Sequence, residues 1–312
     1  MRALVTGGLG FVGRHLVAHL VECGDEVVTL DRQADLSVDI TDGPAVAAAL
    51  ADVAPAAVYH LAGWADVGAS WSDPLAVLRV NAEGTLNVLE ACRRAGVERV
   101  LSVASADVYG MVREDELPLT EASPLRPTSP YAASKVAADA LAHQAFLGHG
   151  VGVVRVRPFN HLGPGQSEAF VAPALAARIA RAERDGLEEI RVGNLTARRD
   201  FTDVRDVVRA YRLLVERGEP GEVYNLCHGT DVAVQDLADS LVAMAERRVR
   251  LVPDPSLMRP VDLPVLRGDA SRLRAATGWT PEIPLEQTLA DLLADMRERV
   301  ASEAERPTTG ER

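Results

Sequence analysis

Short apolar runs rich in Val, Leu and Ala recur along the first half of the chain, separated by polar and glycine-containing segments. Their length suits strands that are buried on both faces of a parallel sheet. Such strands need helices to cover them, so helical segments are expected in between. The runs lie at residues 2–6, 26–30, 56–62, 99–105 and 151–158.

Segments with helical periodicity do separate these runs. Helices are predicted over residues 10–23, 74–95 and 130–147, with Gly96 and Gly148 as stop signals. Strands that alternate with helices build βαβ units with right-handed crossovers. The chain is therefore predicted to be an α/β protein with a doubly wound parallel sheet of the Rossmann type, and its ligands are expected at the carboxyl ends of the strands.

The pattern changes to shorter elements after residue 165, although residues 221–226 resemble one more strand of the main sheet. A smaller C-terminal substrate-binding lobe is therefore predicted beside the first domain. The polar C-terminal residues 301–312 are expected to form a disordered tail. The predicted division assigns residues 1–165 and 201–228 to the first domain, and residues 166–200 and 229–300 to the smaller lobe.

Composition narrows the classes of function. The 312 residues carry a formal net charge of −12, so neither nucleic acid nor an anionic membrane is an expected partner. The N-terminal apolar run leads directly into glycines, so it is interpreted as a strand and not as a signal peptide, and no stretch is long enough to span a membrane. Three scattered cysteines favour neither a disulfide framework nor a metal site, which fits a reduced cytoplasmic location.

A glycine-rich turn follows the first strand. Gly7, Gly10 and Gly13 lie where glycines let the backbone approach a pyrophosphate at a helix N-terminus. Asp31 ends the second strand, where a carboxylate accepts ribose hydroxyls and repels a 2′-phosphate, so NAD(H) is favoured over NADP(H). The neighbouring Arg32 weakens this preference, because a guanidinium suits a 2′-phosphate. Further cofactor contacts are expected from Asp39, Ile40, Leu61, Ala62 and Gly63.

Tyr131 and Lys135 form a Y-x-x-x-K pair on one face of a predicted helix. An ammonium beside a phenol is expected to lower the tyrosine pKa, so that the tyrosine exchanges a proton with a sugar oxygen while hydride moves at the same carbon. Lys135 is the one lysine among 33 basic residues, which indicates a position where arginine does not serve. Ser105, with Ser102 as the alternative, is placed to hold the reacting carbonyl oxygen.

These motifs occur in the order typical of extended short-chain dehydrogenases. Besides the glycine turn and Asp31, the chain has S-A-D-V-Y-G at 105–110, Y-A-A-S-K at 131–135 and R-P-F-N at 157–160. The resemblance extends to about residue 300. It implies an NAD(P)-binding domain, a lobe that binds a nucleotide sugar, a Ser–Tyr–Lys catalytic set and a homodimer. The cofactor contacts that it adds are Phe11, Val12 and Pro158.

Finer motifs are similar to those of the GDP-6-deoxy-D-mannose reductases and the GDP-mannose dehydratases. By this resemblance Asn160, Arg199 and Arg259 hold the diphosphate of a GDP-sugar, and Asp262 binds its ribose. Arginine suits a diphosphate because its planar guanidinium makes several hydrogen bonds. Without the motif, a surface ion pair would be the better explanation of any single arginine. The motifs are F-N-H-L-G-P-G-Q at 159–166, L-R-P-T-S-P-Y at 125–131, V-G-N-L-T-A-R-R-D-F-T-D-V-R-D at 192–206 and M-R-P-V-D-L-P-V-L-R-G-D-A-S-R-L at 258–273.

Several reactions stay open within this resemblance. Our first hypothesis is reduction of GDP-4-dehydro-6-deoxy-D-mannose to GDP-D-rhamnose, because it needs only hydride and a proton at one carbon. A 4-epimerase would use the same residues and retain NAD. A 4,6-dehydratase needs another acid–base group, and Asp107, an expected substrate contact, stands where dehydratases generally have Glu. A non-catalytic redox sensor is the alternative outside enzymes, but it predicts a broken Tyr–Lys pair, and the pair is intact.

Tyr131→Phe is expected to nearly abolish turnover and to leave cofactor binding largely intact, because only the hydroxyl that transfers the proton is lost. Steady-state rates and cofactor affinity would be measured for both proteins. Residual activity within tenfold of the wild type would contradict the role of Tyr131.

Overall fold

The computed structural model describes residues 1–34, 36–257 and 263–305. The α-helices of these residues are α1 Phe11–Glu22, α2 Gly43–Val53, α3 Pro74–Leu78, α4 Gly84–Ala95, α5 Pro130–His149, α6 Val171–Asp185, α7 Val204–Arg217, α8 Val234–Ala243, α9 Ser271–Thr277 and α10 Leu285–Glu305. The strands are β1 Arg2–Thr6, β2 Glu26–Asp31, β3 Leu36–Ser37, β4 Ala57–His60, β5 Arg99–Val103, β6 Val153–Pro158, β7 Asn160–Leu162, β8 Glu189–Val192, β9 Arg198–Asp203, β10 Val223–Leu226, β11 Asp231–Ala233, β12 Arg250–Pro253 and β13 Val265–Leu266.

Seven parallel strands form the central sheet, in the order β10-β6-β5-β4-β1-β2-β3. All five apolar runs of the first half belong to it, and the short β3 extends one edge. The direction of winding reverses between β1 and β4, which opens a crevice at the carboxyl ends of the strands. The predicted α/β fold with a doubly wound Rossmann sheet is therefore confirmed.

Side-chain alternation along the central strands builds a core on each face of the sheet. Ala3 and Val5 point to the face covered by α1 and α7, whereas Leu4 points to the face covered by α2, α4 and α5. A third core joins α6, α8 and α10 with β8 and β9, away from the central sheet. This third core gives the C-terminal elements a hydrophobic centre of their own. The domain limits at residues 165, 200 and 228 stay predictions.

The long helix expected over residues 74–95 forms as α3 and α4 joined by a π-helical turn, Arg79–Glu83. Such turns recur at functional sites, because the extra residue re-aims the side chains around it. Asn81 lies in this turn and is buried. The turn therefore points a polar side chain towards the inside of the molecule.

Two helix ends differ from the sequence prediction. Helix α5 passes Gly148 and ends at His149, because Gly150 supplies the left-handed conformation, with φ 70°, that terminates it. Helix α10 reaches Glu305, so residues 301–305 of the expected tail are helical in the structure. Buried Met296 and Val300 hold this polar helix against α6, and Val300 accepts a hydrogen bond from an arginine of α6. Residues 306–312 of the expected tail lie outside the described residues.

None of the helices in the described part of the chain is both long and apolar enough to cross a membrane. The expected cytoplasmic location stays a prediction.

Candidate active site

The glycine turn between β1 and α1 is closely packed. Gly7 has a φ of +71°, and a Cβ atom there would lie 2.7 Å from the backbone nitrogen of Ala62. A Cβ atom on Gly13 would lie 2.1 Å from the carbonyl oxygen of Gly7, and Gly10 caps α1 without a side chain. The first N–H groups of a helix have no partner within it and suit a pyrophosphate. The structure thus brings together Gly7, Gly10, Phe11, Val12, Gly13, Leu61, Ala62 and Gly63.

The end of β2 carries the groups expected at the adenosine ribose. The Asp31 carboxylate accepts backbone N–H groups from Leu9, at 3.2 Å, and from Arg32, at 2.7 Å. The Arg32 side chain is exposed beside it. Asp39 accepts both the N–H and the hydroxyl of the residue two positions on, and Ile40 is only 6% exposed. The Asp31 carboxylate is therefore partly engaged with backbone N–H groups, whereas the Arg32 side chain is exposed.

Helix α5 delivers the expected catalytic pair. The Ser129 hydroxyl accepts the N–H of Ala132 at the N-cap and proline follows it, so Tyr131 lies in the first helical turn. Lys135 lies one turn later, and both side chains are more than nine-tenths buried. The Ser105 hydroxyl follows β5 and lies close enough to the Tyr131 phenol to affect its pKa. Ser105, Tyr131 and Lys135 therefore form one cluster, whereas the alternative Ser102 lies within β5.

Burial sets the charge state of this cluster. It raises the pKa of Tyr131, and the nearby Asp107 carboxylate raises it further, although the hydrogen bond from Ser105 opposes them. Burial lowers the pKa of Lys135 to about 8, and its ammonium donates to the carbonyl of Val103 at 3.0 Å. The expected lowering of the Tyr131 pKa by Lys135 is therefore wrong for this arrangement. Desolvation outweighs the ammonium, which is directed at a carbonyl, so the phenol stays protonated.

Asn81, which the sequence analysis missed, completes the cluster from the π-helical turn. Its amide donates to Ser134 Oγ at 2.8 Å, and its Oδ1 accepts the N–H of Trp64 at 2.7 Å. A Cβ atom on Gly63 would lie 2.8 Å from Asn81 Oδ1 and 3.5 Å from Lys135 Nζ. Asn81 thus holds the loop after β4 against the catalytic helix. The one signal in the sequence was an asparagine inside a predicted helix, because asparagine is unfavourable in a helix interior.

A buried histidine at the end of β4 supports the same loop. His60 Nδ1 lies 2.8 Å from Thr6 Oγ1, and its Nε2 lies 3.0 Å from Thr85 Oγ1. The Thr85 hydroxyl donates its proton to the carbonyl of Asn81, so it must accept a hydrogen bond from Nε2–H of His60. The Thr6 hydroxyl also accepts a hydrogen bond from the N–H of Ala62. Burial, with a smaller effect of the catalytic ammonium, lowers the pKa of His60 to about 3. The neutral ring therefore links the cofactor loop to the π-helical turn.

A cavity of about 290 Å³ opens beside β7 and holds the residues expected at the substrate diphosphate. Asn160 and Arg199 both line it, and Arg199 Nη1 donates to the carbonyl of Leu263 at 2.6 Å. Pro158 ends β6, two residues before Asn160. The apolar part of the wall comes mainly from α6 and from Phe170 and Phe201. The expected ligands Arg259 and Asp262 lie outside the described residues.

Comparison with known proteins identifies the family. The chain matches the GDP-mannose 4,6 dehydratase family over residues 4–292, and it belongs to that family. It is 39% identical over 307 residues to GDP-6-deoxy-D-mannose reductase of Pseudomonas aeruginosa, covering 97% of this chain and 99% of that protein. The solved RMD of Pseudomonas aeruginosa, complexed with NADPH, has a TM-score of 0.86 at 38% identity, over 96% of this chain and all of that one. UDP-glucose 4-epimerase of Thermus thermophilus, complexed with NAD, has a TM-score of 0.86 at 31% identity. That match covers 95% of this chain and 99% of the epimerase chain.

These relatives confirm the resemblance to extended short-chain dehydrogenases, but the expected preference for NAD(H) over NADP(H) is wrong. The structure of RMD from Pseudomonas aeruginosa contains NADPH. The reason lies at the end of β2, where backbone N–H groups engage the Asp31 carboxylate and an exposed Arg32 follows. A guanidinium in that position suits a 2′-phosphate.

The pKa of Lys135 predicts the pH dependence of activity. Because this pKa is lowered to about 8, the ammonium is lost as the pH rises through 8, while Tyr131 stays protonated. We therefore expect kcat/KM, which reports the free enzyme, to fall above about pH 8. In Lys135→Arg the overall rate should be lower, but this fall should disappear because arginine keeps its charge. A wild-type profile that stays flat to about pH 10 would contradict the assignment.

Proposed function

We propose that this protein reduces the 4-keto group of GDP-4-dehydro-6-deoxy-D-mannose to give GDP-D-rhamnose, with NADPH as the reductant. The observation that carries the proposal is the buried cluster of Ser105, Tyr131 and Lys135, which lies against the loop that packs on the glycine turn. Burial raises the pKa of Tyr131, which favours the protonated phenol. A protonated phenol is the form that a reductase needs at the start of its reaction. Identity of 39% to a GDP-6-deoxy-D-mannose reductase, over 97% of the chain, supports this choice of substrate.

Each side chain of the cluster has a separate role in the proposed reduction. NADPH supplies the hydride to C4 of the sugar when it is bound. Tyr131 gives its proton to O4, so the ketone becomes an alcohol, and Ser105 holds O4 by a hydrogen bond. The phenolate left on Tyr131 is stabilised by the Lys135 ammonium until a solvent proton replaces the one transferred. The Gly7–Gly13 turn fits a dinucleotide because a side chain there would fill the space next to the backbone.

The cavity beside β7 suits the nucleotide end of the substrate. Its apolar wall accommodates a planar base, and Asn160 and Arg199 lie where they would hold the diphosphate. We assign Arg259 the same role and Asp262 the ribose, both from the sequence motif alone. We assign residues 1–165 and 201–228 to dinucleotide binding, and 166–200 and 229–300 to the nucleotide sugar. Asp31, Arg32, Asp39, Ile40, the 61–63 segment and Pro158 complete the proposed cofactor site.

A 4-epimerase is the second candidate function, because the Thermus thermophilus epimerase superimposes with the same TM-score as RMD. An epimerase uses the same Ser–Tyr–Lys groups but returns the hydride, so it shows no net cofactor consumption. A third reaction, dehydration, stays open because the Asp107 carboxylate is close enough to Tyr131 to raise its pKa.

We also propose that the protein is a homodimer and that α3 contributes to the contact. Trp71, in the 3-10 turn before α3, and Leu75 and Leu78 of α3 are 56%, 58% and 45% exposed. Grouped exposed apolar side chains of this size are typical of protein interfaces. A second copy is the partner that the family resemblance implies.

Leu75→Glu should therefore weaken the dimer, because the charge would be buried at the interface. Sedimentation analysis should show wild-type dimers and a larger monomer fraction in the variant at equal concentration. Leu147→Glu on α5 is a control at a leucine outside this stretch that is 69% exposed. Monomeric wild-type protein at all concentrations would contradict the proposed dimer.

The proposed reaction is tested by mixing purified protein with NADPH and GDP-4-dehydro-6-deoxy-D-mannose and following cofactor absorbance. One NADPH should be oxidised for each GDP-D-rhamnose formed, and the rate with NADPH should exceed the rate with NADH. Tyr131→Phe serves as the inactive control. Interconversion of UDP-sugars without net cofactor consumption would contradict the reductase and identify an epimerase. Conversion of GDP-mannose to the keto sugar would identify a dehydratase.

A further inference from the structure

A chain of buried polar side chains lies behind the catalytic cluster. It includes two motif residues, Tyr109 and Arg157, which line neither the glycine turn nor the cavity beside β7. Tyr109 ends the 3-10 turn that begins after Ser105, and it is fully buried. Its hydroxyl donates to Asn225 Oδ1 of β10 at 2.6 Å. The Asn225 amide group donates to the carbonyl of Leu119, which fixes Oδ1 as the acceptor. The single proton of the Tyr109 hydroxyl is therefore directed at β10.

Arg157 of β6 occupies the remaining side of that hydroxyl. Its Nη1 donates to the Tyr109 oxygen at 3.1 Å, and its guanidinium carbon lies 5.4 Å from the centre of the Tyr109 ring. The same guanidinium donates through Nη2 to Asp139 Oδ2 at 2.7 Å. A planar group with several donors can hold two partners at a fixed separation, which a lysine cannot do.

Asp139 connects this chain to the catalytic helix. It lies on α5, one turn beyond Lys135 and two turns beyond Tyr131, on the same side of the helix. A second guanidinium, that of Arg155, approaches the same carboxylate oxygen at 3.3 Å. All these groups are more than nine-tenths buried, so the carboxylate cannot exchange its arginine partners for water without a large cost.

The two ends of the chain carry the two halves of the catalytic cluster. Tyr109 follows Ser105 by four residues within one short turn, and Asp139 follows Lys135 by four residues within one helix. Arg157 bonds to both ends and so ties the turn after β5 to α5. We propose that Tyr109 and Arg157 are positioning residues that fix the Ser105 hydroxyl against the Tyr131 phenol. This inference rests on the proposed catalytic role of those two groups.

This role predicts a specific kinetic effect. The Tyr109–Arg157–Asp139 chain lies behind the cluster and lines neither the glycine turn nor the cavity. Its loss should therefore leave binding of cofactor and substrate unchanged and should slow the chemical step. Small displacements of catalytic groups are costly in rate, up to about a hundredfold for about 1 Å.

The test is Tyr109→Phe, which removes the hydroxyl and keeps the ring. We expect kcat to fall roughly tenfold or more, with KM for the sugar nucleotide and the Kd for NADPH within about twofold of the wild type. The rate of a single turnover with all ligands saturating reports the step directly.

Tyr224→Phe is the matched control. Tyr224 is equally buried, lies next to Asn225 on β10, and accepts one hydrogen bond from the N–H of Glu219 at 3.0 Å. A merely structural role predicts that both variants lose similar stability and that both keep their kcat. Our proposal predicts that only Tyr109→Phe loses kcat after matching for thermal stability. Equal kcat in Tyr109→Phe and wild type would overturn it.

Asp139→Asn is the second variant if Tyr109→Phe does not fold. Its amide oxygen still accepts from Arg157, but the charge that holds the guanidinium is gone, so the same fall in kcat at unchanged Kd for NADPH is expected. Rates are compared as ratios to the wild type in whichever reaction the wild type catalyses, reduction or epimerisation. Wild-type inactivity towards the keto sugar would therefore count against the proposed reductase, whereas an unchanged ratio would count against the positioning chain.

Discussion

The removal of an ammonium and a phenol from water is the constraint on which the candidate site depends. Lys135 and Tyr131 are more than nine-tenths buried on one face of α5, and burial works against the charged form of each. The fold offsets this cost by directing the ammonium at the carbonyl of Val103, at the carboxyl end of β5. An arginine could not meet that carbonyl as a point charge, which gives a physical reason for one lysine in a chain whose other basic residues are arginines.

The surrounding polar groups then keep this cluster in place without adding charge to it. His60 is neutral, Asn81 is neutral, and the Asp139 carboxylate lies two turns from Tyr131, where it is paired with two arginines. The ion pairs of Asp139 with Arg155 and Arg157 lie behind the site. The group beside the Tyr131 phenol is therefore the uncharged Ser105 hydroxyl. Within the described residues, the Asp107 carboxylate is the charged group that raises the pKa of Tyr131, and it favours the protonated form. The electrostatics of the described residues therefore favour a proton donor.

Local sequence patterns predicted the features that depend on neighbours in the chain. The glycine turn, the strand runs and the Tyr131–Lys135 spacing each follow from a few consecutive residues. Asn81 was missed because its partner, Ser134, is 53 residues away and because a π-helical turn has no clear sequence pattern. The cofactor preference failed for a related reason. Whether Asp31 or Arg32 faces a ligand depends on which backbone N–H groups the carboxylate accepts, and composition does not reveal that.

The choice between reduction, epimerisation and dehydration also depends on more than the identity of neighbouring residues. Epimerase, dehydratase and reductase share the Ser–Tyr–Lys set, so the identity of those residues cannot separate the reactions. What separates them is the protonation state at the start of the cycle, since a reductase begins with a phenol and an enzyme that first oxidises an alcohol begins with a phenolate. In this structure burial and Asp107 act together to hold the phenol.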